Sequence, residues 1–207
     1  MPVQGSEMRV PVGVSDEDLL RAQLYRLISN YMAAAPDAET LAAGAQLSGD
    51  ETPLGKAVGT FAHLCSRSDA DAVAQEYNDL FIGIGRGELL PFASYYLTGF
   101  LNEKPLAKLR NDMDALGIER DPAASEPEDH IASIFEMMAG VIDGRFGEPA
   151  SLEAQQKFYD THIKSWASYF FRDLENAKSS VLYSGLGSIG RVFLEIEDTA
   201  FSMVPAG

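Results

Sequence analysis

Asp129 and His130 form the carboxylate–imidazole pair whose neighbours most resemble a site, because they close the run Glu126-Pro127-Glu128-Asp129-His130. A neutral imidazole oriented by a carboxylate can act as a general base, and a serine or cysteine within hydrogen-bond reach would make the pair a hydrolase centre. The same residues at a helix start would instead offset the helix dipole, with His130 donating a hydrogen bond to a neighbouring loop. Spacing alone does not separate the two. A metal reading fails on spacing: Glu126 and His130 share a helical face, but a di-iron bundle needs two Glu-x-x-His elements and two further glutamates. His162 lies on an aromatic face, as a core histidine would, and His63 falls off the apolar stripe of its helix. The run Gly83-Ile84-Gly85-Arg86-Gly87 has the glycines of a phosphate loop without its lysine and Ser/Thr pair or a preceding strand.

The other informative stretch runs from 76 to 96. Val73, Tyr77, Leu80 and Phe81 repeat at helical spacing, and the pattern then breaks at Gly83, Gly85 and Gly87 before Pro91. Ile82, Ile84, Leu89, Leu90, Phe92, Tyr95 and Tyr96 crowd this loop, which is too apolar for an ordinary solvated connection. Such a loop suits a groove wall that glycines let a partner's backbone approach. A buried connection between two core helices would have the same spacing.

The elements that must position these residues read as helices throughout. Ser15 is the expected N-cap of a helix over 15–35, with Asp16, Glu17 and Asp18 in its first turn and Leu20, Leu24, Leu27, Ile28 and Tyr31 on one face. A short alanine-rich helix is expected over 37–47, and another over 53–67 with Leu54, Val58, Phe61 and Cys65 on its stripe. Ser68 with Asp71 marks the next start. A brief helix over 93–101 leads to one that Pro105 opens and Gly117 closes. The segment 121–125, DPAAS, reads as a linker. Ser125 and Glu128 fit a capping box, which would place Glu126, Pro127, Asp129 and His130 in the first turn of a helix continuing through Ile131, Ile134, Phe135, Met138 and Ile142. Two further helices are expected over 150–176 and 179–201. With no strand-length alternation, the fold class is all-α: a bundle-like domain of about eight to ten helices, or two helical halves (15–120 and 126–207) joined by 121–125, after a loose arm over 1–14.

Composition narrows the partners. Thirty-one acidic against sixteen basic residues give a formal charge of −15, which opposes nucleic acid and anionic membranes and favours cationic partners such as a basic peptide. Acidity of this kind also simply keeps a protein soluble. Cys65 is the only cysteine, so neither an intramolecular disulfide nor a multi-cysteine metal site can form. The first residues lack a charged segment followed by an apolar run, and a cytoplasmic location is the expectation.

Glu76, Tyr77, Leu80, Phe81, Gly83, Gly85, Gly87, Pro91, Ser94 and Tyr96, then Pro105, Leu106, Leu109 and Arg110, then Glu126, Pro127, Asp129 and His130, closely resemble the TorD/DmsD family of molybdoenzyme maturation chaperones. The resemblance is good over 76–142, loose over 15–35 and absent over 1–14. It implies a non-enzymatic cytoplasmic chaperone that binds the twin-arginine signal peptide of a molybdoenzyme apoprotein and holds it until cofactor insertion and export. By the same resemblance, Tyr77, Leu80, Phe81, Pro91, Phe92, Ser94, Tyr95, Glu126, Asp129 and His130 are the expected peptide-binding residues, with Phe92 standing where relatives can carry another aromatic. The family implies no resident cofactor or metal beyond weak GTP or transient molybdenum-cofactor binding, and a monomer or domain-swapped homodimer. Two other readings keep their place beside it: a hydrolase or nucleotide-dependent enzyme using Asp129 and His130, and a helical assembly subunit without a peptide groove.

Overall fold

The computed structural model describes residues 14–120 and 126–204. The linker 121–125 and the arm, apart from Val14, lie outside the described residues. Among the described residues ten α-helices follow in order: α1 Asp16–Ala33, α2 Ala38–Gly44, α3 Pro53–Arg67, α4 Ala70–Tyr77, α5 Ala93–Thr98, α6 Lys104–Ala115, α7 Ile131–Asp143, α8 Leu152–His162, α9 Ala167–Asn176 and α10 Leu182–Ser202. A π-helical turn, Asn78–Ile82, continues α4. Among the described residues there is no strand, only one isolated antiparallel bridge between Phe92 and His130.

Local chemistry sets most of the starts. Ser15, Asp37, Thr52 and Ser151 each accept a backbone N–H in the first turn of the helix that follows, and Pro53 occupies the first turn of α3, where its missing N–H costs nothing. Ser68 closes α3 rather than opening α4; Asp69 caps α4 through the N–H groups of Asp71 and Ala72. The helix expected over 93–101 stops at Thr98, because Gly99 turns left-handed and returns its N–H to Tyr95.

Two other expectations are corrected by packing. The helix expected over 150–176 is broken at 163–166, where Ile163 and Trp166 turn into the core and the Trp166 indole donates to the His162 carbonyl at 2.7 Å. And α7 starts at Ile131, not at 126: residues 126–130 form a turn whose polar groups are spent on other elements, as described below. Ser125, the other half of the expected capping box, is outside the described residues, and Glu128 turns its carboxylate to Arg110.

The main packing pairs are α1 with α7, α10 with α9, and α10 with α3. Tyr25 of α1 sits edge-on between Phe135 of α7 and Phe193 of α10, with ring centroids 5.0 and 4.7 Å away. Phe61, Phe170, Phe171, Tyr159, Tyr183 and Trp166 are also fully buried. Each such side chain stabilises by about 1.5–3 kcal/mol, and each edge-on pair adds about 0.5–1.5 kcal/mol. Helices α9 and α10 come close because Gly190 is bare: a Cβ there would lie 2.5 Å from the Phe171 ring. No helix among the described residues is long and apolar enough to cross a membrane.

Candidate functional site

A cleft of about 510 Å³ opens between the end of α1, the π-turn and the strands of loop on either side of the Phe92–His130 bridge. Tyr77, Phe81, Ile82, Pro91 and Phe92 supply its apolar walls, Ala33, Ala34 and Ala35 its small-residue side, and Glu126 and His130 its polar edge.

The π-turn aims Phe81 and Ile82. Its wide ring closes where the Gly83 N–H donates to the Asn78 carbonyl at 2.7 Å, and Gly83 then takes φ 60°, with a virtual Cβ only 2.1 Å from the Arg86 carbonyl oxygen. The loop folds back so that Glu88 and Leu89 donate to the carbonyls of Asp79 and Leu80. The Phe81 and Tyr77 rings meet edge-on at 5.0 Å, and both reach Tyr183 of α10. The Tyr77 hydroxyl donates to the Met32 carbonyl at 3.3 Å; burial, then the nearby Glu126, holds its pKa above the ordinary phenol value.

Two carboxylates fasten this wall from behind. Glu76 accepts the N–H groups of Val181, Leu182 and Tyr183 at 2.7–3.1 Å, and Glu88 accepts those of Lys178 and Ser179 at 2.7 and 3.1 Å. Glu76 completes the N-terminal turn of α10, which has no side-chain cap of its own, and Glu88 holds the turn that leads into it. The same bonds lower the Glu88 pKa. Sequence reasoning gave neither residue a role as a cap, and no local pattern could have, because the partners lie 90–107 positions away.

The floor is a clasp between 91–94 and 129–132. Ile131 donates to the Pro91 carbonyl at 2.8 Å and Ala93 to that of Asp129 at 3.0 Å, while the Ser94 N–H donates to Asp129 Oδ2 at 2.8 Å. Asp129 thus caps α5 from a distant segment. His130 takes an extended conformation as the N-cap of α7, its Nδ1 accepting the Ala132 N–H at 3.2 Å, and its ring lies edge-on to Phe92 at 5.0 Å. Burial pushes the imidazole down to about 4, so it is neutral at physiological pH. With Asp129 Oδ2 and His130 Nδ1 each spent on a backbone N–H, and no serine or cysteine side chain bonded to His130 among the described residues, the pair serves here as a double helix cap. Ser94 Oγ and Asp129 Oδ1 are buried without a hydrogen-bond partner among the described residues.

Of the ten residues singled out, Tyr77, Phe81, Pro91, Phe92, Glu126 and His130 line the cleft. Leu80 points the other way, into the core, and Ser94 and Asp129 are buried in the clasp beneath. Tyr95 is half-exposed outside it, under the guanidinium of Arg86, whose nitrogen lies 2.6 Å from the phenol oxygen. Ile82 lines the cleft and was missed, as were the small residues Ala33, Ala34, Ala35 and Ala74 and the polar Asn78; for Ile82 its place in the apolar loop was the available signal. No group of three or more His, Cys, Asp or Glu placed to hold a metal occurs among the described residues.

A helical body with an apolar cleft, edged by Glu126 and resting on the Asp129–His130 clasp, defines an all-α protein. The chain belongs to the nitrate reductase delta subunit family, whose sequence profile matches residues 48–172 and takes in all ten singled-out residues. It is 29% identical over 140 residues to the chaperone protein TorD of Vibrio cholerae serotype O1 (strain El Tor Inaba N16961). That similarity covers 64% of each chain, so it spans somewhat less than two thirds of the relative's length. With the TorD chaperone of Vibrio vulnificus (strain YJ016) the identity is 31% over 117 residues, covering 52% of this chain and 54% of the relative. The fold is that of a crystal structure from Archaeoglobus fulgidus described as a candidate redox enzyme maturation protein, with a TM-score of 0.58 at 22% identity over 94% of this chain and 98% of that one.

Proposed function

We propose that this chain is a cytoplasmic maturation chaperone for a redox enzyme, and that its cleft holds the twin-arginine signal peptide of a molybdoenzyme apoprotein until cofactor insertion is complete. The observation that carries the reading is the cleft itself, where Tyr77, Phe81, Pro91 and Phe92 offer an apolar bed with Glu126 at its edge. Such a peptide joins two guanidinium groups to a downstream apolar stretch, and a formal charge of −15 on the chain would draw it in. The relatives named as TorD chaperones lend the same support. Neither a resident cofactor nor a catalytic step is needed, and the chain is read as a non-enzyme.

The expected strength is moderate. Burying three or four apolar peptide side chains contributes roughly 1.5–3 kcal/mol each, and association with ordering of a flexible peptide removes several kcal/mol of that. The apolar contribution alone therefore leaves a few kcal/mol, and the guanidinium contacts must supply the rest of the micromolar affinity we expect, about −8 kcal/mol, which suits later release.

Calorimetric titration with such a signal peptide tests the reading. We expect micromolar binding, a loss of about tenfold in Phe81→Ala, equivalent to about 1.4 kcal/mol, and no measurable binding of a peptide whose apolar stretch is made polar. Undiminished affinity in Phe81→Ala would remove the cleft from the account. Ester or nucleotide turnover that disappears in His130→Ala would replace it with an enzyme.

A further inference from the structure

A second depression of about 340 Å³ adjoins the cleft, and the two meet at Ala33 and Glu126, which line both. Its character differs from the first. Met113, Met137 and Phe146 contribute an apolar, adaptable surface, and Glu119, Glu126, Glu128 and Glu136 stand around it. Two of these four carboxylates already hold guanidinium groups: Glu128 has Arg110 at 2.8 Å and Arg120 at 3.6 Å, and Glu136 has Arg26 at 3.6 Å as well as Arg145. Glu119 and Glu126 make no ion pair among the described residues. Four arginines thus gather on Glu128 and Glu136, two of them, Arg120 and Arg145, from within the lining, so Glu119 and Glu126 are the lining acids left for an incoming cation, beside an apolar cleft that continues from the depression.

We infer that the two depressions are one groove and that it fixes the direction of the bound peptide. This rests on the reading above and extends it. The arginine pair lies in the second depression, its side-chain stems over Met113 and Met137 and its charges toward Glu119 and Glu126; the apolar stretch crosses Ala33 into the bed of Phe81 and Phe92. Because the arginines precede the apolar stretch, the peptide's N-terminal side faces Glu119 and its C-terminal side faces Ile82. Arg145, exposed and paired with Glu136, is then a resident positive charge that opposes the incoming guanidinium groups.

The test uses the full chain and a synthetic peptide with two arginines followed by a leucine- and alanine-rich stretch, at low ionic strength. One version carries a photoreactive group just before the arginines, the other just after the apolar stretch. The first should label residues within 113–146 and the second residues within 77–92; the reverse assignment, or one common site, overturns the inference. Fluorescence anisotropy supplies the second readout. Glu119→Lys should weaken the peptide by about fivefold and Arg145→Ala should tighten it by about two- to fivefold, the range expected of exposed charge pairs. Both effects should vanish when the peptide's arginines are replaced by glutamine. If neither substitution acts while Phe81→Ala still weakens binding, the groove is wrong and the cleft stands. If the unaltered chain binds no such peptide, both fall.

Discussion

Two buried polar clusters in this molecule are built on opposite terms. At the junction of α1, α8 and α10, Arg21 lies with its Nε and a terminal nitrogen 2.7 and 2.8 Å from the two Glu197 oxygens, and its other nitrogen donates to Asp18 and Gln155. The Tyr25 hydroxyl adds a further bond to Glu197 at 2.9 Å, and the guanidinium rests over the Phe201 ring. Beneath the cleft, by contrast, Asp129 makes one side-chain bond, to the Ser94 N–H, and leaves Oδ1 and the Ser94 hydroxyl without partners among the described residues. The first cluster is a saturated joint inside an aromatic core. The second is a lightly bonded clasp under the cleft proposed to admit and release a peptide, and such surfaces are drawn from the less stable parts of a fold.

Breaking the saturated joint should cost most. Glu197→Ala leaves the Arg21 charge buried with its main partner gone, and we expect a loss of about 3–5 kcal/mol in urea unfolding. A loss below 1 kcal/mol would put the two clusters on the same footing.

The clasp should answer to pH. Burial holds His130 at about 4, below the ordinary imidazole value near 6.5. The folded state therefore binds this proton less readily than the unfolded chain. Its contribution is fully present above about pH 6.5 and is lost as the pH falls from about 6.5 to 4, up to about 3 kcal/mol. His162, likewise lowered chiefly by burial despite Asp112, loses stability in the same direction. The difference between the unaltered chain and His130→Asn, which can still cap α7 but cannot titrate, isolates His130: the variant should show a smaller drop in unfolding free energy between pH 7 and pH 5.

Smaller again is the effect of Asp129. Removing the side chain in Asp129→Ala strips one cap from α5 and should cost about 1–2 kcal/mol, whereas Asp129→Asn keeps an oxygen for the Ser94 N–H and should cost less than about 1 kcal/mol. Equal losses in the two variants would mean that the charge, not the cap, is what matters there.

How far these clusters were legible in the sequence follows from the range of the interactions. The helices announce themselves through near neighbours: Ser15 bonds three residues ahead, Thr52 likewise, and Gly117 and Gly144 turn left-handed where the apolar stripes of α6 and α7 end. The break at 163–166 was not legible, because Trp166 and Ile163 fit a continuous helical stripe and only the tertiary core asks them to turn. The clasp misled for a related reason. Ser-x-x-Glu is a sound local signal, but the Pro91 carbonyl and the Ala93 N–H, some 36–40 residues away, compete for the backbone of 129–131 and delay the helix to Ile131. The walls of the cleft were readable as apolar residues in the wrong place for a loop. Which of them faces the opening was not: Leu80 and Phe81 are adjacent in sequence, and the π-turn sends one into the core and the other to the cleft.

The comparison between the core joint and the clasp is tested most directly by hydrogen exchange, read by mass spectrometry, with and without a saturating twin-arginine signal peptide. The account predicts faster exchange in the free chain at 78–94 and 126–134 than in α9 and α10, and protection on binding confined to those two segments, the end of α1 and the lining of the second depression at 113–120 and 136–146. Protection centred on α8 and α10 around Arg21 and Glu197, with 78–94 unchanged, would contradict it.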